Sequence, residues 1–345
     1  MKKIFLLTVA AGVLFASCAK NEVNSVDSSR ISFRTVVGKA STKALLSGTV
    51  YKDTDPSFGT YAFMLQSGES WAANKATASL YIDNKEVKPT GPDAQKKWTT
   101  ETPYYWPKNG SLTFFSYSPY DALNAVVSCT NDDKGIQLSA WDVDANQDVD
   151  VMFADKVEDQ TANGTNGGYT GVPTVFRHKL SQIVSFTFQT KDDYFHNGNA
   201  TGDKKFLIKE IDVNGILHKG AYSNAAWVPE TGSVKDYSWY NDATGTEFKN
   251  APVTIAESGQ HILVLPQTLP DDAKIVIKYD IQTYNGTSWV TENVTEEVAI
   301  KDITASWAEN KKITYGITVS LDNDMIYWAP SIEDWAADTP SHTFE

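Results

Sequence analysis

Cysteine and basic residues are scarce in this sequence. The 345 residues include two cysteines, Cys18 and Cys129, so a framework of several disulfides cannot hold the fold. Lys and Arg number 30 against 43 Asp and Glu, which gives a formal net charge of -13. Proteins that bind nucleic acid neutralise phosphates with Lys and Arg. The acidic balance therefore argues against a nucleic-acid partner.

Catalytic and metal-binding patterns are missing as well. The five histidines are scattered without the spacing that metal sites use, and neither a Gly-x-Ser-x-Gly turn nor a phosphate-binding glycine loop occurs. We interpret Cys129 as an inert, buried thiol. Acidic residues alternate over 142–150 as in a calcium loop, but Gln147 stands where such a loop needs glycine. We interpret this segment as a solvated loop, with an ion site as the alternative, and we expect no enzyme activity, cofactor or metal.

The first eighteen residues indicate export. Lys2 and Lys3 precede an uncharged apolar run over 4–16, and the small residues Ala16 and Ser17 lead directly to Cys18. The run is shorter than the roughly 20 residues that a membrane-spanning helix needs. The order Phe15-Ala16-Ser17-Cys18 resembles a bacterial lipoprotein signal, which implies that acyl chains such as palmitate are attached at Cys18. The alternative is an ordinary secreted protein.

Strand patterns dominate the rest of the chain. Ile275, Ile277, Tyr279 and Ile281 alternate with more polar residues, and Asn285-Gly286 follows as a hairpin signal. No sustained helical period occurs, so we predict an all-β chain of antiparallel sandwiches. A Gly/Asn/Thr-rich stretch over 161–171 suggests a boundary. The predicted parts are a signal peptide (1–17), a lipid-anchored tether (18–30), an N-terminal β-sandwich (31–171) and a C-terminal β-sandwich (172–345).

Several segments together resemble the fimbrillin family, the lipoprotein-derived subunits of type V pili. They span most of the mature chain: Ile31-Ser32-Phe33, Phe58 to Phe63, Tyr104 to Pro107, Leu112 to Pro119, Asp150 to Ala154, Phe176 to Ser181, Trp307, Tyr315 to Val319 and Ile332 to Trp335. The resemblance implies two tandem β-sandwich domains of transthyretin-like or Greek-key type. It also implies a structural or adhesive fimbrial subunit that reaches the outer membrane and cell surface as a lipoprotein.

Subunits of this family are activated by proteolytic removal of the first strand, and a strand from another subunit then fills the groove. Mapped onto this chain, the displaced strand presents Ile31, Phe33, Thr35 and Val37. The family cut follows Arg, whereas this loop offers Lys43 before Ala44 and, second, Lys39. The candidate donor strand is Met325, Ile326, Tyr327 and Trp328, and we expect Pro330 to interrupt it. Implied partners are other fimbrial subunits, the outer membrane, and a host surface protein or glycan.

A second hypothesis rests on the aromatic residues. Trp98, Tyr104, Tyr105 and Trp106 form the densest aromatic cluster in the sequence. Aromatic faces offer flat apolar area to a sugar ring. The chain would then be a surface lipoprotein that binds glycans, and the alternative for these residues is packing in the core.

Overall fold

The computed structural model describes residues 30–37, 57–90, 97–162, 171–195, 200–255, 262–321 and 325–334. In this part of the chain 23 strands follow one another. The first nine are β1 (Phe33–Val37), β2 (Phe58–Leu65), β3 (Ser79–Thr90), β4 (Lys97–Thr100), β5 (Ser111–Ser118), β6 (Val127–Cys129), β7 (Ile136–Asp142), β8 (Met152–Ala154) and β9 (Val157–Gln160). The next seven are β10 (Val172–His178), β11 (Ser181–Thr190), β12 (Lys204–Leu217), β13 (Lys219–Ser223), β14 (Ala226–Pro229), β15 (Val234–Phe248) and β16 (Val253–Ile255). The last seven are β17 (Ile262–Val264), β18 (Gln267–Thr268), β19 (Lys274–Tyr284), β20 (Trp289–Ala299), β21 (Ser306–Trp307), β22 (Lys311–Ser320) and β23 (Met325–Asp334).

Helix is a minor component of the described residues. It is limited there to the four-residue helices Trp71–Asn74, Tyr120–Leu123 and Ile300–Ile303 and the 3-10 turns Lys75–Thr77 and Asp144–Asn146. Within the same residues no helix has the length and apolar character needed to cross a bilayer. The all-β prediction is therefore confirmed.

The first sheet contains eight strands in the order β2-β3-β4-β1-β10-β8-β5-β9, and it closes on itself because β5 also pairs with β2. Its strands are rich in aromatic and β-branched residues, which fit a pleated, half-buried surface. All eight residues of β5 are buried. One core beneath this sheet is formed by Ile31, Phe33, Phe58, Ala62, Ile82, Val87, Trp98, Leu112, Phe114, Met152, Val172 and Phe176.

A four-stranded sheet, in the order β14-β13-β7-β6, packs on another side of the first sheet. The shared core brings Phe115 and Phe153 of the first sheet against Tyr222 and Trp227 of the four-stranded one. Phe153 and Tyr222 meet edge to face, with ring centroids 5.0 Å apart. Strands from widely separated parts of the chain thus share one core.

The largest core lies between two further sheets. One has the order β16-β11-β22-β23, with β17 also paired to β11, and the other has the order β15-β12-β19-β20. Ile275, Ile277, Tyr279 and Ile281 of β19 are at most 8% exposed, as predicted. On the opposite face, expected to be in solvent, Val276 and Asp280 are buried as well. The predicted hairpin is also present, because β19 and β20 pair from Tyr284 and Trp289 onward around the turn that contains Asn285 and Gly286.

The expectation of purely antiparallel pairing is wrong at two places. β1 pairs with β10 in parallel, and β11 pairs with β22 in parallel. Parallel neighbours need long crossover connections, so they are not visible as local hairpin signals in the sequence. The predicted boundary between residues 171 and 172 falls at the start of β10, whose partners are β1 and β8. The division into domains stays a prediction.

Candidate functional site

The candidate site is the position of β1 within the first sheet. On one side β1 pairs with β10 from Phe33–Val172 to Val37–Phe176. On the other side its register with β4 is a single pair, Phe33 opposite Trp98. β1 is therefore paired with β10 along its whole length, whereas residues 91–96, which precede β4, lie outside the described part of the chain.

Residues just before β1 add backbone anchors. The amide of Ile31 donates to the carbonyl of Tyr104 at 2.8 Å, and the amide of Val172 donates to the carbonyl of Ser32 at 2.7 Å. The Nη2 of Arg30 donates to the carbonyl of Thr100 at 3.0 Å. The segment is thus fixed at its start as well as along β10.

The inward-facing side chains of β1 and of the residues just before it fill the first core. Ile31 and Phe33 are 1% exposed and Thr35 is 0% exposed. The Phe33 ring meets Phe58 and Phe114 edge to face, with centroids 5.6 Å and 5.7 Å away. Full burial of an aliphatic or aromatic side chain stabilises by about 1.5–3 kcal/mol. Ile31 and Phe33 therefore hold the segment in place, and its removal would leave a long apolar groove.

Not every group of this segment is satisfied. The Oγ1 of Thr35 and the Nε of Arg30 are buried and have no hydrogen-bond partner among the described residues. A buried polar group without a partner costs about 1–3 kcal/mol. The groove could accept a strand with an apolar residue in place of Thr35 more favourably than it holds β1.

The aromatic cluster singled out in the sequence surrounds this segment. Trp98 is 1% exposed, while Tyr104 and Trp106 are half-buried against the same core, and only Tyr105, at 43%, is exposed. Trp106 packs edge to face on Phe114 at 5.8 Å. These residues line the groove that β1 fills and do not form a flat exposed platform.

The candidate donor strand lies at an edge of the second core. β23 pairs antiparallel with β22 along its whole length, from Met325–Ser320 to Asp334–Lys311. Ile326 and Trp328 are half-buried against the core, and Tyr327 is 43% exposed. The segment 325–328 is thus a paired part of this chain's own sheet.

The expectation that Pro330 interrupts this strand is wrong. Pro330 lies opposite Tyr315 in the middle of β23, and the strand continues to Asp334. Proline lacks an N–H, so in a sheet it can stand only where that N–H would point away from the neighbouring strand. An edge strand offers such positions, which is why the ladder with β22 survives.

The residues predicted for anchoring and processing lie outside the described part of the chain. These are Cys18, Lys39, Lys43 and Ala44. For Val37 and Met325 the structure describes the backbone alone. The predicted roles of all the site residues stay predictions.

Two histidines contact carboxylates of the acidic segment. His218 Nδ1 lies 2.8 Å from Asp142 Oδ1, and His178 Nδ1 lies 2.5 Å from Asp150 Oδ2. Among the described residues no group of three or more His, Cys, Asp or Glu side chains is placed to hold a metal. Burial, with a smaller effect of Asp132, raises the pKa of the Cys129 thiol far above its usual range. A thiol in that state is a poor nucleophile.

Sequence reasoning found the buried residues of β1 by their alternation, but it missed their partners. β10 lies about 140 residues away along the chain, and nothing local points to it. The unsatisfied hydroxyl of Thr35 likewise depends on the surrounding core. No signal in the sequence could have revealed either feature.

Comparisons with known proteins agree with this architecture. The profile of the fimbrillin-like family matches residues 55–335. A fimbrial protein from Bacteroides vulgatus has the same fold with a TM-score of 0.63 at 19% identity, over 89% of this chain and 99% of that one. A candidate cell adhesion protein from Parabacteroides distasonis has a TM-score of 0.53 at 12% identity, over 90% of this chain and 97% of that one. No protein of curated function matches.

The two structural likenesses concern the fold alone, whereas the family profile covers more than half of the sequence. The chain belongs to the fimbrillin-like family.

Proposed function

We propose that this chain is a structural or adhesive subunit of a cell-surface fimbria, built from two tandem β-sandwich domains. It is exported as a lipoprotein acylated at Cys18 and reaches the outer membrane. A protease cuts after Lys43, or secondarily after Lys39, and releases β1. A strand from another subunit then takes the place of β1.

The observation that carries this proposal is the placement of β1. Phe33 and the preceding Ile31 fill an apolar core, and β1 pairs with β10 along its whole length. Loss of β1 would expose the groove and leave backbone groups of β10 unpaired, and an open sheet edge is a template for a strand from another chain. Backbone hydrogen bonds would supply affinity, and alternate side chains would supply specificity.

The unsatisfied hydroxyl of Thr35 supports replacement of β1 by another strand rather than loss of β1 alone. An incoming strand with a valine or isoleucine at this position would fill the same space without burying an unpaired oxygen. Once β1 is free to leave, replacement of β1 by such a strand would therefore be energetically favourable.

The glycan-binding alternative through Trp98, Tyr104, Tyr105 and Trp106 has less support. Three of these four side chains pack against the core beneath β1, and Tyr105 alone is exposed. The fimbrial proposal uses the same residues as the wall of the groove.

N-terminal sequencing of this chain from sheared fimbriae tests the proposal. Ala44 as the first residue is expected, and Ala40 would indicate the secondary site. An acylated Cys18 still present on subunits along the fibre would overturn strand removal. A Cys18→Ala variant tests the anchor separately, since it should leave the detergent phase in a partitioning experiment.

A further inference from the structure

Two lysines and three aromatic residues meet on the sheet β15-β12-β19-β20, far from β1 along the chain. We call them the lysine–aromatic cluster: Phe195, Lys205, Lys249, Tyr284 and Trp289. All five are at least partly exposed. Lys205 stands on the outer face of β12, because the next residue, Phe206, is buried in the core on the other face.

The aromatic rings of the cluster form one continuous wall. Phe195 and Trp289 are nearly parallel, with an interplanar angle of 19° and centroids 6.5 Å apart. Tyr284 adjoins Trp289 at 5.3 Å. Such a wall offers flat apolar area at the surface of the molecule.

Both ammonium groups lie over this wall. Lys205 Nζ is 4.3 Å from the centroid of Trp289 and 5.9 Å from that of Phe195. Lys249 Nζ is 4.6 Å from the centroid of Phe195. Cation–π contact of this kind holds a lysine in place and leaves its N–H donors available.

The charges of the cluster are incompletely balanced. Phe206 and Phe248 are register partners in the antiparallel pair of β12 and β15. Lys205, just before Phe206, and Lys249, just after Phe248, therefore lie opposite each other. Like charges opposite each other destabilise a sheet. Lys249 has an exposed carboxylate partner, Glu247, at 3.2 Å, whereas no described carboxylate lies within ion-pair distance of Lys205.

Neutral hydrogen-bonding side chains lie next to Lys205 on the two neighbouring strands β19 and β20. Gln282 is the register partner of Lys205, and Thr291 is the register partner of Gln282, so their side chains share one face of the sheet. Cation, amide and hydroxyl thus stand side by side next to an aromatic wall. A carboxylate, several hydroxyls and a C–H face are the complementary set.

We propose that the lysine–aromatic cluster binds an acidic saccharide, with the carboxylate between Lys205 and Lys249 and the sugar ring next to the aromatic side chains. The chain has a net charge of -13, so it repels acidic polymers over most of its surface. Lys205 and Lys249, beside the aromatic rings, provide positive charge at one place on this acidic chain. The proposal goes beyond the fimbrial role and depends on neither β1 nor β23.

The test compares sialyllactose with lactose, two probes that differ by one carboxylate-bearing sugar, by saturation-transfer NMR and titration calorimetry on the chain from residue 19 onward. Sialyllactose is expected to bind at least tenfold more tightly than lactose, with affinity falling as salt rises. Lys205→Met and Lys249→Met keep the apolar stems and remove the charges, and each should abolish that preference.

Lys278→Met is the matched control. Lys278 also stands on this sheet, paired with Glu210 at 2.7 Å, and its loss should leave sugar binding unchanged. Equal binding of the two sugars, no binding of either, or the same loss in the Lys278 variant would each overturn the proposal. None of these results affects the N-terminal sequencing test of fimbrial assembly.

Discussion

A chain that lacks β1 should take up the β1 sequence as a separate peptide. The perturbation is a chain that begins at Ala44, mixed with a peptide of residues 30–37. We expect the shortened chain to aggregate or to bind a hydrophobic dye, because the groove that Phe33 fills in the intact chain is open. The peptide should restore a soluble monomer.

The magnitude follows from the contacts of Phe33. This ring is 1% exposed and meets Phe58 and Phe114 edge to face. Truncation of a core phenylalanine to alanine costs about 3–5 kcal/mol. A Phe33→Ala peptide should therefore bind about two to nearly four orders of magnitude more weakly than the parent.

A substitution at Thr35 should change the affinity of the peptide in the opposite direction. Its hydroxyl is buried without a described partner. A Thr35→Val peptide removes that group at nearly constant shape and should bind more tightly, by about 1 kcal/mol or more. Opposite effects from two substitutions in one short strand are difficult to produce by nonspecific hydrophobic binding.

Fluorescence anisotropy of a labelled peptide measures these affinities, and the intrinsic fluorescence of Trp98 beside Phe33 reports insertion. A peptide with the same residues in reversed order is the control, because it places the wrong side chains in the groove. If the reversed peptide binds as well as the parent, or if Phe33→Ala has no effect, the reasoning about the groove is refuted.

Three further predictions concern the rest of the molecule. A Gly59→Ala change would place a Cβ 2.2 Å from the buried ring of Tyr117, so urea denaturation should show a loss of about 1–3 kcal/mol or more. Cys129, whose pKa is raised by burial, should react slowly with a disulfide reagent at pH 8 in the folded chain from residue 19 and at once after unfolding. Burial, and next a hydrogen bond with Glu210, raises the pKa of Asp212 to about 6. The folded state then keeps a proton that the unfolded state has lost, so the contribution of Asp212 to stability should fall as pH rises from about 4 to about 6. Asp212→Asn should remove this dependence and add about 1 kcal/mol at pH 7, after allowance for solvent screening, in thermal unfolding measured across that range.

Each of these predictions has a control. Gly68→Ala meets no atom within 4 Å and carries only the cost of a left-handed φ of +87°, so it should cost less than Gly59→Ala. Equal losses at the two glycines would contradict the packing argument. Rapid modification of folded Cys129, which is half-buried, would contradict its raised pKa. A wild-type pH profile in Asp212→Asn would assign the dependence to another group.

Many strands were predictable because a strand that buries one face alternates apolar and polar residues along the sequence. β10 is an example, since buried and half-buried residues alternate from Val172 to His178. The hairpin at Asn285-Gly286 was also predictable, since a tight turn needs particular residues. These features depend on neighbours within a few positions.

Pairings between distant segments were not predictable for the same reason. The partner of β1 is β10, and the cluster around Trp289 collects residues from five separate segments. No local pattern distinguishes Lys205 from any other exposed lysine until Trp289 and Phe195 are placed beside it. The candidate strand could be named from sequence, whereas its pairing with β10 and the unsatisfied hydroxyl of Thr35 could not.

Pro330 lacks a backbone N–H but, contrary to the prediction from sequence, it does not interrupt β23. The missing N–H was expected to end the strand, but β23 is the last strand of its sheet in the described chain, so that N–H can face outward. By the alternation of a strand, the N–H groups of Ile326, Trp328 and Ile332 then face outward as well. A neighbouring strand could pair with this edge beside 326–328, but its ladder would break at Pro330. The proline thus shortens the usable edge without weakening the bond to β22, which is the compromise that an exposed ten-residue strand needs if it is to avoid indiscriminate association.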